Sequence, residues 1–515
     1  MGMYRLDGKR GCPRGLCRRA GFILVCGFCV LWTSAVRAET EDERRLRVER
    51  IEDFRRTEQV TGVSSGLIAN IAKHLGWYAD YGGNIRLAYT GGHDNDRSYG
   101  IQDSLAFAKD YELNAFLNMT DLARKTKFYT RIRTTYTARK KNSSATRGHE
   151  WTQFALDAMY FERKYQAGPT RTTLTIGRQF ASVGRGIAYA ATADGVQIRT
   201  NYNQYELYIF GVQANRSDDD IDPGNLSPPS PNRGHTHRNF LGGQFTWSFH
   251  PMLSPYYFWV RNFDRNPRVV DPQSSATQEA DLIHIYQSRF EGFGVNGAIT
   301  RSLSYFAEWI HVTGTTTSVG NMSDSTPVRA HAYDGGVRYR LPGLYQPVLS
   351  SEWAFGSGDP DRQSTVNSTL FGNVAGEDRA FRPFGGLSLG YAFASSLANV
   401  RARKFSGTAL PFARSSIERL RNIRMTADFY TYAKHYDAGP VSDFDVPSDA
   451  NSKKDLGKEL NLETTWRIWT DLALNIRWGK FMPGNAYDTV DEIGRTTRSH
   501  AASEVYWRVQ WTLDI

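Results

Sequence analysis

The pattern of apolar and polar positions is clearest at the C-terminus. From Val505 to Ile515, Val505, Trp507, Val509, Trp511, Leu513 and Ile515 alternate strictly with Tyr506, Arg508, Gln510, Thr512 and Asp514. In an extended strand these sets point to opposite faces. The stretch also matches the roughly 9–11 residues a tilted strand needs to cross a bilayer. The same alternation, punctuated by turn residues, recurs upstream from Trp77. It predicts eighteen strands near 77–90, 103–118, 126–139, 150–164, 170–180, 194–201, 204–216, 239–248, 253–264, 290–300, 303–315, 328–340, 346–356, 397–409, 418–433, 457–466, 470–483 and 503–515.

The connections sort by parity. Even-numbered ones are short, as at 165–169, 201–204, 249–253, 300–303, 341–346 and 467–470. Odd-numbered ones are longer, at 91–102, 140–149, 181–193, 217–238, 265–289, 316–327, 357–396, 434–456 and 484–502. A soluble sandwich has no reason to sort its loops this way, whereas a transmembrane barrel has short periplasmic turns and long outer loops. The fold expected is therefore all-β: a transmembrane antiparallel up-and-down β-barrel of about 18 strands. Ahead of it, 41–58 is a dense run of mixed charge in which Val48, Ile51 and Phe54 recur every third residue, which suggests a short solvated helix.

An Arg or Lys on the lipid face near the midplane costs about 2–4 kcal/mol. Charged residues in strands are thus expected to face inward. This reading places Asp110, Glu112, Lys127, Arg131, Arg133, Arg477 and Arg508 in the lumen, together with Arg338, Arg340, Arg401, Arg403 and Arg424. Solvation alone explains charges on a wet inner face. The surplus of Arg adds a functional expectation, because a planar fork that stays ionised suits carboxylates. Such groups spaced along a channel would draw an anion through it.

Composition is compatible with that picture. Apolar residues make up 40% and aromatics 13%, with 27 Tyr, 28 Phe and 12 Trp. Mean hydropathy is −0.50. The N-terminus carries Arg14, Arg18 and Arg19, an apolar run from Gly21 to Trp32, and small residues at Val36 and Ala38. These are the parts of a secretory signal peptide cleaved after Ala38. The expected organisation is then 1–38 signal peptide, 39–76 a charged, partly helical periplasmic segment, and 77–515 the barrel.

Residues 1–38 hold all four Cys, seven of the 63 Lys and Arg, and one of the 53 acidic residues, so the net charge falls from +10 to +4 without them. Nucleic-acid binding loses its support. Thiolate metal sites, disulfides and covalent haem are not expected in the mature chain. The run Asp218-Asp219-Asp220-Ile221-Asp222 reads as a solvated loop, with divalent-cation binding as an alternative. No GxSxG, HExxH or P-loop pattern occurs, so no catalytic residue, metal or cofactor is assigned.

Three stretches resemble the alginate export family of outer-membrane β-barrels. They are Leu174-Thr175-Ile176-Gly177-Arg178-Gln179 with Gly184-Arg185-Gly186 and Asp194-Gly195-Val196; Glu352 to Asp359 (ending Ser357-Gly358-Asp359) with Ser396-Leu397-Ala398-Asn399-Val400; and Gly457-Lys458-Glu459-Leu460-Asn461 with Phe481-Met482-Pro483-Gly484. The segment at 396–399 departs from the family's Ser-Asn-Leu pattern, and the chain ends on Ile515 where such barrels often end in Phe. The resemblance implies a passive conduit for an acidic polysaccharide. It also implies Arg178 as a lumen residue and Asp359 as a shaper of the pore mouth, with an anchoring salt bridge as the other reading of both.

The function expected is an outer-membrane channel passing an anionic, alginate-like polysaccharide. The alternatives are a general or small-anion diffusion porin, and a barrel enzyme or a sheath for an electron-transfer protein. Expected partners are the outer-membrane lipid, the anionic polymer or small anions, and periplasmic export proteins, around a monomeric barrel. The long 357–396 connection is expected to fold over the pore and narrow it.

Overall fold

The computed structural model describes residues 76–93, 106–140, 147–214, 238–264, 269–270, 281–282, 286–317, 325–362, 376–441, 453–490, 496–497 and 505–515. The leader, the 41–58 segment and the acidic run at 218–222 lie outside the described residues.

Eighteen strands form one closed antiparallel sheet. They are β1 (Trp77–His93), β2 (Ala106–Asp121), β3 (Thr126–Lys140), β4 (Arg147–Ala167), β5 (Thr170–Ser182), β6 (Ala190–Tyr202), β7 (Tyr205–Ala214), β8 (Arg238–Trp247) and β9 (Ser254–Asp264), followed by β10 (Tyr286–Ala298), β11 (Leu303–Thr317), β12 (Ser325–Arg340), β13 (Val348–Gly356), β14 (Val400–Ala409), β15 (Arg424–Lys434), β16 (Asp455–Arg467), β17 (Leu472–Pro483) and β18 (Val505–Asp514). Every strand pairs with its chain neighbours. The ring closes where β18 lies against β1, from Asn84 opposite Asp514 to His93 opposite Val505. Gly83 and Ile515 exchange backbone bonds of 2.9 and 2.8 Å, so the terminal residue is part of the seam. Closure leaves no open sheet edge in the bilayer.

The tight turns use residues that take positive φ at small cost. Gly168 (φ 58°) stands between β4 and β5, and Asn203 (φ 50°) between β6 and β7. The expected strand at 418–433 begins later. Glu418–Asn422 is a 3-10 turn on the short-connection side, and β15 starts at Arg424.

The outward face carries Phe293, Trp309, Val337, Trp353, Phe405, Phe429, Leu462 and Ile476, all exposed in the isolated chain. Those rings and aliphatic chains are the lipid contact. The inner face is divided. Along β7 to β12 much of it is buried and apolar, with Tyr208, Phe210, Phe240, Phe258, Phe290, Ile310 and Val328, interrupted by the buried polar residues Asn262, Ser288, Glu308 and Asp334. They are covered by two inserted segments, 183–189 after β5 and 376–399 before β14. Phe384 sits 4.9 Å from Phe240 and 5.8 Å from Phe290, ring to ring. Phe393 lies 4.3 Å from Tyr432 and 5.0 Å from Phe481. Backbone bonds from Phe384 to Ala188 and from Gly385 to Ile187 tie the two segments together. Burying each of these large side chains is worth roughly 1.5–3 kcal/mol, so a plug of several rings is held firmly.

Candidate functional site

The rest of the inner wall, from β17 through β18 and β1 to β4, is polar. Arg477 and Arg508 stand opposite each other in the β17–β18 register. Arg86 stands opposite Glu112 in β1–β2 and meets it at 3.3 Å. Arg131 and Arg133 share Asp157, at 3.4 and 3.1 Å. A bulge in β4 beside Arg131 and Arg133 aims Asp157 between them. Lys127 Nζ donates to the Tyr160 hydroxyl at 3.1 Å and lies over the Tyr129 ring. Lys127 is near the short-turn end of β3, and Arg508 is near the long-loop end of β18. Strand tilt turns these positions into a stair of cations along one side of the channel.

The plug reaches this wall through Tyr391. Its hydroxyl donates to Glu463 at 3.0 Å, and the Arg477 guanidinium lies 5.6 Å from its ring. Arg477 also donates to Glu463 at 3.4 Å. On the opposite side Arg185 projects from the 183–189 segment, stacked on Phe306 and bonded to Asp334 and Glu352. The Arg185 backbone N–H and the Tyr256 hydroxyl both donate to Glu308, at 2.8 and 2.7 Å. Only glycine fits the turn that puts Arg185 there. Gly184 has φ +54°, and a Cβ would stand 2.1 Å from Glu308 Oε2.

A model of the family described as "Alginate export" matches residues 77–499. The chain belongs to the alginate export family. No curated protein matches the sequence. Among solved structures, the barrel is similar to OccAB1 of Acinetobacter baumannii, with a TM-score of 0.51 and 10% identity, over 85% of this chain and 96% of that one. It is also similar to OpdQ of Pseudomonas aeruginosa, with a TM-score of 0.49 and 10% identity, over 85% of this chain and 97% of that one. The chain is thus a porin-like outer-membrane barrel of the alginate export family, with a channel role.

The motif residues of the alginate export family hold loops in place. Glu459 is fully buried and accepts the backbone N–H groups of Tyr391, Ala392 and Phe393 at 2.6, 2.9 and 3.0 Å. Asn399 donates to the Tyr436 and Gly439 carbonyls and accepts from the Tyr436 N–H. Ser357 Oγ accepts from the His331 N–H and donates to the Arg379 carbonyl. Asp359 accepts the N–H of Arg379 at 2.8 Å. Buried at the loop base, the Asp359 carboxyl is pushed up to about 7, chiefly by burial and then by the Asp361 side chain. His435, whose Nδ1 accepts from Gly358, is pushed down to about 4 by burial and then by Arg401.

The predicted lumen residues divide accordingly. Asp110, Glu112, Lys127, Arg131, Arg133, Arg477 and Arg508 are on the inner face, with Asp110 taking a bond from Thr137. Arg338, Arg340 and Arg424 also face in by alternation with Asp334 and Asp428, toward the short-turn end. Asp359 is at the base of the plug.

Three residues point the other way. Arg178, Arg401 and Arg403 are on the outward face, because their neighbours Gln179, Val400 and Ala402 are the buried, inward ones. Arg178 forms a fork with Asp194 at 2.8 and 2.7 Å and donates to the Leu156 carbonyl. The reason is physical. Where a plug fills the lumen the inner face becomes apolar, and outside, near the headgroups, polar residues are tolerated. The usual assignment of polar to lumen inverts there. Sequence reasoning passed over Arg86, Asp157, Arg185 and Glu459. Arg185 and Glu459 stood inside the quoted motifs, and a carboxylate between Gly457 and Leu460 at a strand start was the available signal for Glu459.

Proposed function

We propose that the barrel passes an anionic, alginate-like polysaccharide outward by diffusion along its basic wall. The observation that carries this reading is the gathering of Arg477 and Arg508, which are register partners, with Arg86 on β1 and Arg131 and Arg133 on β3, all on the inner face of one run of strands. Their carboxylate partners, Glu463, Glu112 and Asp157, keep the guanidiniums oriented and moderate each site, so a polyuronate can exchange from one to the next. Membership of the alginate export family supports the same substrate class. Arg338, Arg340, Arg424 and Lys127 would receive the chain from the periplasmic side. Residues 1–38 act as a cleaved signal peptide in this reading, 39–76 stay in the periplasm, and periplasmic export proteins deliver the polymer to a monomeric, non-catalytic barrel.

The decisive measurement is planar-bilayer conductance with uronate oligomers as blockers. Anion selectivity with block from the periplasmic side is expected. Anion selectivity without block would assign a small-anion diffusion porin instead, and cation selectivity would remove both readings.

A further inference from the structure

We propose that the outward face carries a basic girdle that binds the phosphate groups of lipopolysaccharide in the outer leaflet. This rests on the outer-membrane location and is independent of what passes through the pore.

The girdle is read from register. Arg261, Arg289, Thr313 and Arg329 are directly opposite one another on β9, β10, β11 and β12. Arg403, Thr431 and Lys458 form a second such row on β14, β15 and β16. Arg401 and Lys480 flank it. Each of these cations is exposed, alternates with buried inward residues, and falls within five residues of its strand's long-loop end. Lying at the long-loop ends of their strands, these cations gather toward the outer rim of the barrel. They lie on the long-loop side of the exposed rings of Phe293, Trp309 and Phe405, and Arg403 stands directly opposite Trp353.

Two of the cations already have carboxylates, Arg289 with Glu291 and Arg329 with Glu377. Among the described residues no carboxylate pairs with Arg261, Arg401, Arg403, Lys458 or Lys480. Aromatic rings orient the guanidiniums instead. Arg401 is 5.7 Å from the Phe355 ring, Arg403 is 5.7 Å from Trp353, and Arg261 is 4.7 Å from Phe263. A guanidinium stacked this way keeps its donor edge free for a bidentate phosphate. Unpaired cations at headgroup depth, beside an aromatic band, fit a phosphorylated glycolipid by charge.

The test is binding of lipopolysaccharide to the purified full-length barrel, followed by native mass spectrometry in detergent. The variant Arg401→Gln/Arg403→Gln/Lys458→Gln/Lys480→Gln should bind at least tenfold more weakly, with its heat-modifiable gel shift intact. Arg163→Gln, outward at the short-turn end, should bind as the wild type does. The wild-type barrel should also discriminate against a dephosphorylated form of the glycolipid, an arm that needs no variant. Equal binding of the phosphate-free glycolipid, unchanged affinity in the quadruple variant, equal loss in Arg163→Gln, or equal retention of phosphatidylglycerol would each overturn the assignment. Single-channel conductance of the quadruple variant should be unchanged, which separates this surface from the pore.

Discussion

Glu459 accepts the backbone N–H of Phe393 at 3.0 Å while the Phe393 ring packs 5.0 Å from Phe481, so one wall strand holds the plug by its backbone and the next holds it by its ring. Tyr391 and Ala392 offer their N–H groups to the same carboxylate. Hydrogen bonds to a charged group are each worth about 1.5–3 kcal/mol. Glu459→Ala should therefore loosen residues 390–393 without opening the barrel. The expected outcome is faster proteolytic cleavage of the loop and a noisier, larger single-channel conductance. A protease pattern identical to wild type would show that ring packing alone secures the plug.

Excising residues 376–398 and joining the ends with a short Gly-Ser linker is the stronger form of that test. Phe384 packs on Phe240, Tyr286 and Phe290, so its removal uncovers those inner-face rings. Conductance should rise several-fold. Some loss of thermal stability should accompany it, because apolar surface returns to solvent. Unchanged conductance would mean that the segment does not narrow the channel.

The fold was legible because lipid imposes one rule on every strand: alternate, close, and sort the turns. The inner face was legible only where it is wet. On β1 to β4, β17 and β18, charge marked the lumen, and Lys127, Arg131, Arg133, Arg477 and Arg508 are placed as the alternation implies. On β5 and β14 the plug makes the inside apolar, so Arg178, Arg401 and Arg403 appeared as lumen residues and are outward. Nothing local to Val400-Arg401-Ala402-Arg403 tells a buried inner face from a lipid-facing one. The distinction depends on a loop that packs there from elsewhere in the chain. The anchoring role of Glu459 depends on the same loop, since it accepts three backbone amides there as well as the Tyr432 hydroxyl.

Asp359 and His435 set opposing pH dependences at the loop base. The Asp359 carboxyl is raised to about 7, mainly by burial, so its stabilising contribution is complete below the ordinary carboxylate range and is lost as pH rises toward 7. His435 is depressed to about 4, mainly by burial, so its contribution is present above the ordinary His value near 6.5 and is lost as pH falls toward 4. The two largely cancel between pH 4 and 7. Asp359→Asn should unmask the histidine, with the denaturant midpoint in micelles rising over that interval. His435→Asn, which keeps an acceptor for the Gly358 N–H, should unmask the carboxyl and make the midpoint fall. Identical profiles for both variants and wild type would remove Asp359 and His435 as titrating groups.

Arg477 and Arg508 separate a lumen role from a merely solvated one. They are opposite each other in the β17–β18 register, and Arg477 shares Glu463 with Tyr391 of the plug. Two guanidiniums side by side raise the local potential more than either does alone, and a low-dielectric wall concentrates it. Replacing both with Gln should lower the anion-to-cation permeability ratio several-fold and weaken block by uronate oligomers. Replacing outward-facing Arg178 with Gln should leave both quantities unchanged, because its fork is occupied by Asp194 on the lipid side of the wall. The effect of the Arg477 and Arg508 changes should also shrink as salt rises, since screening shortens the field to about 3 Å at 1 M. A permeability ratio that ignores both the double substitution and the salt concentration would mean that these arginines serve only to solvate the wall.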